Sequence, residues 1–360
     1  MGERRRFAVA AAMALALLIT PAPAAAQPTD ANPRPAAGSG GDGFTGDGGP
    51  AVQAELKNPE GAAVAADGTL YIADTGNHRV RAVGPDGMIR TVAGDGEARN
   101  ETGPLPAAAK GTEISLGYPS DLALGADGTL FIADTTAVRV YALASDGTIS
   151  VRADATMGRD QIGAPLKGPS AIAAAADGTL YVTDQDYNRV LGYTPGGEVS
   201  EVVTGGIAAP NGLAVDDQGD LWISGANALH RLRGGDLSAV TTAGAVSAVS
   251  AGSGDVFTVD PSARQVRAIA PGGAVRTVTA LDAQTFGTGV VLLGAGTAQD
   301  GSIYLIDVVG NRVFAQPVPA AEEAGDDGVP AVWLMVLGGA ALVVIAGAVI
   351  WLLRRRGPAS

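Results

Sequence analysis

The residues able to do chemistry in this 360-residue chain are few, because it has no cysteine and only two histidines, His78 and His230. Disulfides, thiolate nucleophiles and cysteine-ligated metals are therefore excluded. Two histidines cannot make a three-histidine zinc site, and no Ser, His and Asp set suggests a hydrolytic triad. His230 alternates with apolar residues on a strand-like stretch, which suits packing or surface. The run Gly38 to Gly49 has no Lys-Ser/Thr behind it and reads as a flexible lead-in rather than a phosphate loop. What remains is carboxylate. Asp74, Asp134, Asp184, Asp260 and Asp307 recur at one point of a repeated pattern. In four copies an arginine follows five residues later, at Arg79, Arg139, Arg189 and Arg312. A ring of carboxylates can hold metal, but the fourth copy loses both partners together, with Gly225 and Ala228 in their places. Joint loss fits an Asp–Arg bridge that pins a loop inside each unit.

The elements that position these residues are read from the repeat. Asp67 to Asp74 (DGTLYIAD) returns as Asp127 to Asp134 (DGTLFIAD) and Asp177 to Asp184 (DGTLYVTD), with weaker copies at Gly219, Gly254 and Gly301. The marker glycines stand 60, 50, 41, 35 and 47 residues apart, the size of propeller blades. Each unit holds four short strands. Pro59, Pro119, Pro169 and Pro210 open the first, and Asp-Gly or Gly-Gly pairs such as Asp67-Gly68, Asp146-Gly147 and Gly272-Gly273 supply hairpin turns. Those turns fall on one face of a disc. The opposite face receives the other connections, including the long polar stretches Ala93 to Gly117 and Arg152 to Lys167. Variable loops on a rigid scaffold carry specificity, so this is the expected binding face, with Asn77, His78, Asp186 and Tyr187 on it. The sixth unit lacks an obvious fourth strand after Gln316, so either the N-terminal region closes the ring or that blade has three strands.

Asn77-His78-Arg79-Val80 after Ile72-Ala73-Asp74, and Asn188-Arg189-Val190 after Asp184, resemble the NHL repeat. Gly46-Asp47-Gly48-Gly49-Pro50-Ala51, leading to Leu56 and Pro59, is similar to the linker of the teneurin-type branch. The resemblance covers residues 43–317 and implies an all-β, six-bladed propeller. Lactonase-type propellers hold an axial calcium ion through oxygen ligands at the starts of inner strands. Glu60 and Asn211 look similar to two such positions, and Asp121 would reach the same mouth, so a calcium-dependent hydrolase or lyase is the second reading. The first is a recognition or scaffold module with no cofactor, binding a protein, peptide or envelope glycan.

Two ends set the expected address. Residues 1–26 have the three parts of a secretory signal: Arg4 to Arg6, an apolar run from Phe7 to Ile19, and Ala24-Ala25-Ala26 before a cleavage at Gln27. The segment 27–42 reads as a Pro/Ala/Gly linker and 318–328 as an acidic one. Residues 329–353 carry no charge and as a helix would reach about 37 Å, enough to cross a bilayer. Arg354 to Arg356 then mark 354–360 as a cytoplasmic tail, with the propeller outside and any signal passed to a membrane partner. The heavy Ala and Gly usage suits a GC-rich bacterial genome. Formal charge is -13, and setting aside Glu3 and the six terminal arginines leaves 18 basic against 36 acidic residues. Such a surface repels phosphate backbones, so no nucleic acid is expected as a partner.

Overall fold

The computed structural model describes residues 32–319, apart from 99–102, 227, 241–245, 247, 253, 261, 288–290, 295 and 299. Six four-stranded antiparallel sheets follow one another along the chain. Blade one comprises Gly61–Val64, Leu70–Asp74, Arg79–Val83 and Ile89–Ala93, and blade two Pro119–Leu124, Leu130–Asp134, Arg139–Leu143 and Ile149–Asp154. Blade three runs through Pro169–Ala174, Leu180–Asp184, Arg189–Tyr193 and Val199–Val203, and blade four through Gly212–Val215, Leu221–Ser224, Leu229–Arg233 and Asp236–Val240. Blade five is Ala248–Gly252, Asp255–Asp260, Gln265–Ile269 and Val275–Ala280. Blade six takes three strands from the end of the described chain, Val291–Leu293, Ile303–Asp307 and Arg312–Gln316, and its outer strand from the start, Arg34–Ala37. The hairpin glycines adopt positive φ, +88° at Gly68 and +81° at Gly128, which lets two-residue turns match the strand twist.

The closure corrects the expected linker over 27–42. Arg34 pairs with Ala315 and Pro35 with Phe314, so the propeller begins at 34 rather than 43. A proline is tolerated there because an outer strand needs no N–H on its open side. The hydrophobic core is a ring of six clusters, one at each junction between neighbouring blades. Ile72 and Leu70 of blade one meet Ile306 and Val313 of blade six, while Phe286 sets its edge on Phe314 with ring centroids 5.1 Å apart. Burying each such aliphatic side chain contributes roughly 1.5–3 kcal/mol, so ring closure rests on packing as much as on the strand ladder.

The long connections behave differently from free binding loops. Lys110 bridges Thr148, Gly111 N–H donates to the Gly147 carbonyl, and the Lys110 ammonium reaches Asp146 O and Thr148 Oγ1, both at 3.1 Å. The stretch before blade two therefore runs along that blade's outer strand to its hairpin end. Residues 46–51 do the same for blade one, exchanging backbone bonds with Ile89 and Gly87. In blade three the short helix Arg159–Ile162 serves, with Gln161 Oε1 accepting the Val199 N–H. An outer strand leaves unpaired backbone groups, and these segments cover them. The expected leader (1–26) and apolar run (329–353) lie outside the described residues. Among the described residues no helix is long and apolar enough to cross a membrane.

Candidate functional site

The first strands converge at the axis, and what lines their two ends differs. Toward the hairpin turns, hereafter the turn face, Ala63, Val64, Leu124, Ala174 and Val215 enclose a channel of about 180 Å³. At the opposite mouth, on the loop face, the register slips between Pro119 and Asp121, a bulge that inserts Ser120 and re-aims the next carboxylate. Asp121 Oδ1 accepts the Leu122 N–H and Oδ2 the Ile172 N–H, both at 2.9 Å, joining blades two and three. A Cβ placed on Gly61 would lie 2.7 Å from the Asp121 Cα, so blade one closes over it from the other side. Loss of hydration pushes the Asp121 carboxyl up to about 7 against the pull of its two N–H donors. Glu60 is likewise raised by burial, opposed by the Tyr118 hydroxyl that donates to it. Hydroxyls complete the rim: Thr75 Oγ1 donates to Pro119 O and Thr135 Oγ1 to Pro169 O, both at 2.7 Å, tying each blade to the next.

Glu60 and Asp121 thus meet at neighbouring strand starts, but Asn211 does not join them as a ligand. Its Oδ1 takes the Ser224 hydroxyl at 2.8 Å within blade four. Each of the three side chains already serves a protein donor, and among the described residues no three His, Asp or Glu side chains group to hold a metal ion. The set does not fit a calcium shell, which needs six or more oxygens.

The recurrent aspartates are buried at the ends of the second strands, and their partners are more varied than a fixed spacing allows. Arg189 donates from Nε and Nη2 to Asp184 Oδ2 at 3.0 and 2.8 Å, and Arg312 reaches Asp307 at 3.1 Å. In blade one the expected partner is replaced. Asp74 pairs with the fully buried Arg81 at 3.3 Å, while Arg79 turns outward, over the Phe44 ring and onto the Asp95 carbonyl. Arg79 and Arg81 share a strand face, and Arg81 wins because Asp47 meets it from the other side at 2.7 Å and also accepts from Thr91. Blade five uses the same longer spacing, Asp260 to Arg267 at 3.1 Å. Asp134 accepts the Gly117, Tyr118 and Ala137 N–H groups, and Arg139 stands opposite it in the ladder. Asp47, Arg81 and Tyr118 were not singled out by the sequence, although an arginine seven residues after both Asp74 and Asp260 was a readable signal.

On the loop face, Asn77 and His78 are structural. Asn77 donates to Gly43 O and Asp74 Oδ2, and His78, left-handed at φ +56°, places Nδ1 2.6 Å from Gly117 O. Asp186 and Tyr187 are open to solvent. Asp186 pairs with Lys167 at 3.3 Å, and Lys167 and Arg189 flank the Tyr187 ring, which is 46% exposed. Tyr118 (38%) and Val309 (65%) are exposed on the same face.

A family model described as the teneurin NHL domain matches residues 37–112. The chain is an NHL-repeat β-propeller. Its similarity to curated proteins is local: 60% identity over 42 residues to Teneurin-1 of Gallus gallus, and 33% over 117 residues to Teneurin-m of Drosophila melanogaster. These stretches cover 12% and 31% of this chain but only 2% and 4% of those proteins. Among solved structures, the NHL propeller is similar to a gluconolactonase from Xanthomonas campestris (TM-score 0.55, 17% identity, 73% of this chain and 87% of that one). It is also similar to a catalytically inactive virginiamycin B lyase from Staphylococcus aureus (0.50, 17%, 73% and 82%). At such identities the likeness is one of fold.

Proposed function

We propose that this NHL propeller is a recognition module that binds a protein or peptide through its loop face, outside a membrane to which residues 329–353 anchor it. One observation carries the reading: Tyr118, Tyr187 and Val309 present large apolar surface on that face, while Asn77, His78, Asn211 and the recurrent aspartates are engaged within the fold. Aromatic anchors on a rigid support with polar groups already satisfied favour binding over group transfer. The acidic exterior argues for a partner that is not itself polyanionic.

The test places a photo-crosslinking residue at Tyr187 or Val309, and as controls at Met88 or Val275, which are exposed at the turn face. On intact cells the first pair is expected to give one discrete adduct and the second none. Absence of any adduct, or equal adducts from both faces, overturns the reading.

A further inference from the structure

Blade four leaves its rim open. In the other five blades the ladder to the outer strand slips in register, as between Val80 and Arg81 or between Val266 and Arg267. Asp236–Val240 pairs with Leu229–Arg233 without a slip, and it holds neither proline nor lysine. Bulges, prolines and lysines are the devices that keep an edge from recruiting another strand. The cover is missing too. Ile89, Ile149 and Val199 stand at matching places in blades one to three, and their N–H groups donate to Gly49 O, Ala109 O and Gln161 Oε1. Leu237 is their counterpart, opposite Leu232 as Ile89 is opposite Val83. The Gly234-Gly235 turn, at φ +57° and +94°, is a two-residue hairpin turn that makes Arg233 and Asp236 a hydrogen-bonded pair. Bonding alternates from there, so Leu237 and Ala239 turn their N–H and C=O groups outward. Among the described residues these groups have no partner. Val275 of blade five is likewise uncovered among the described residues, but its strand keeps the slip, and Arg267 on the neighbouring strand is held by Asp260.

Blade one shows what such an edge accepts. Gly48 and Gly49 exchange backbone bonds with Ile89, and Asp47 of the same segment meets the Arg81 guanidinium at 2.7 Å and the Thr91 N–H at 3.1 Å. The ladders place His230 where Arg81 stands and Ala239 where Thr91 stands. His230 Nδ1 is buried with no hydrogen-bond partner among the described residues. The connection into blade four, residues 204–211, is too short to cover this edge and is tied at the loop end, where Ala208 O accepts the Ala226 N–H and Ala209 N–H donates to Asn188. We propose that the rim of blade four binds an extended, glycine-rich segment of another protein as an added fifth strand, with a carboxylate of that segment seated on His230 and the Ala239 N–H. Main-chain bonds to Leu237 and Ala239 supply the affinity, and the carboxylate sets the register. A second copy of this chain fits less well. The one carboxylate of its own outer strand, Asp236, lies on the opposite strand face from His230, and two chains of formal charge -13 repel. The rim is apart from the loop face, so the proposal does not rest on the reading above.

The probe is a synthetic peptide of residues 44–51, the molecule's own covering segment, blocked at both ends and titrated into the full-length protein by calorimetry, with amide hydrogen exchange read in parallel. Binding is expected with sub-millimolar Kd, together with slowed exchange at Leu237 and Ala239. The same peptide with Asp47→Asn should bind about five-fold more weakly, and that preference should vanish in the His230→Phe protein. Ala239→Pro removes an outward N–H and no ladder bond, so it should weaken the probe about ten-fold with Tm preserved. Exchange at Leu237 and Ala239 in the unmutated protein needs no variant and keeps the test decisive if Ala239→Pro lowers Tm. Equal affinity for the two peptides, protection elsewhere but not at Leu237 and Ala239, or no binding up to about 10 mM overturns the proposal.

Discussion

Replacing Asp121 with asparagine tests the electrostatics of the axial mouth. The folded carboxyl holds its proton up to about pH 7, because dehydration outweighs the N–H bonds from Leu122 and Ile172. The unfolded chain releases it near about pH 3.9. The folded state therefore binds more protons, and the stability this confers is complete below the unfolded value and lost as pH rises through 7. By linkage, proton uptake at Asp121 is worth about 2.7 kcal/mol at pH 5 and almost nothing at pH 8, an upper figure since the residue is only half-buried. Asparagine cannot titrate, and its amide nitrogen cannot accept the second N–H, which costs about 1–3 kcal/mol at any pH. Chemical denaturation at pH 5 and pH 8 should thus show Asp121→Asn clearly less stable than wild type in acid. The gap should narrow or reverse by about 2.5 kcal/mol in base. Glu60, across from Asp121 on blade one, is raised in the same direction, and the raised Tyr118 phenol stays neutral throughout this range. Both are present in either protein, so the double difference isolates Asp121. An equal penalty at the two pH values would refute the argument.

Arg81→Met should cost about 3–5 kcal/mol in urea denaturation, since it removes the buried cation between Asp74 and Asp47 and leaves the buried Asp74 facing only neutral donors, whereas Arg79→Met should cost about 1 kcal/mol or less. Equal losses would return the pairing to Arg79. Gly38→Ala drives a Cβ into the Asn311 carbonyl at φ +88°, where the outer strand of blade six begins its exit. It should loosen ring closure, seen as earlier proteolysis near residue 34 and a lower Tm than Gly197→Ala, whose Cβ at φ +85° meets nothing. Arg189→Lys loses the forked donation to Asp184 and the bonds to the Ala164 and Pro165 carbonyls, and should cost about 2 kcal/mol by thermal melting. A loss within about 0.5 kcal/mol would show that charge alone suffices there.

Much of the scaffold is legible in local sequence. The Asp-Gly turns need left-handed glycine, and short apolar runs between such turns, such as Leu70–Asp74, read as strands; this one is buried at every position but Tyr71. Both are short-range constraints. The Asp–Arg pairing was legible as chemistry but not as geometry. Side chains five and seven residues away share one strand face, and only the docking of Asp47 chooses Arg81. The candidate site was less legible still. Glu60 and Asp121 are 61 positions apart in the chain yet adjacent at the axis, and Tyr118 joins them through a loop conformation that composition does not encode.

By itself the sequence determined the repeat, the number of blades, the face on which the tight turns lie and the exclusion of cysteine chemistry and of a three-histidine metal site, because each follows from residue type and count. Tertiary structure decided how the ring closes, with Arg34–Ala37 completing a sheet whose other strands lie some 260 residues later. It also decided that the long connections cover outer strands instead of standing free, since an unpaired edge demands a neighbour and only the assembled disc determines which segment reaches it.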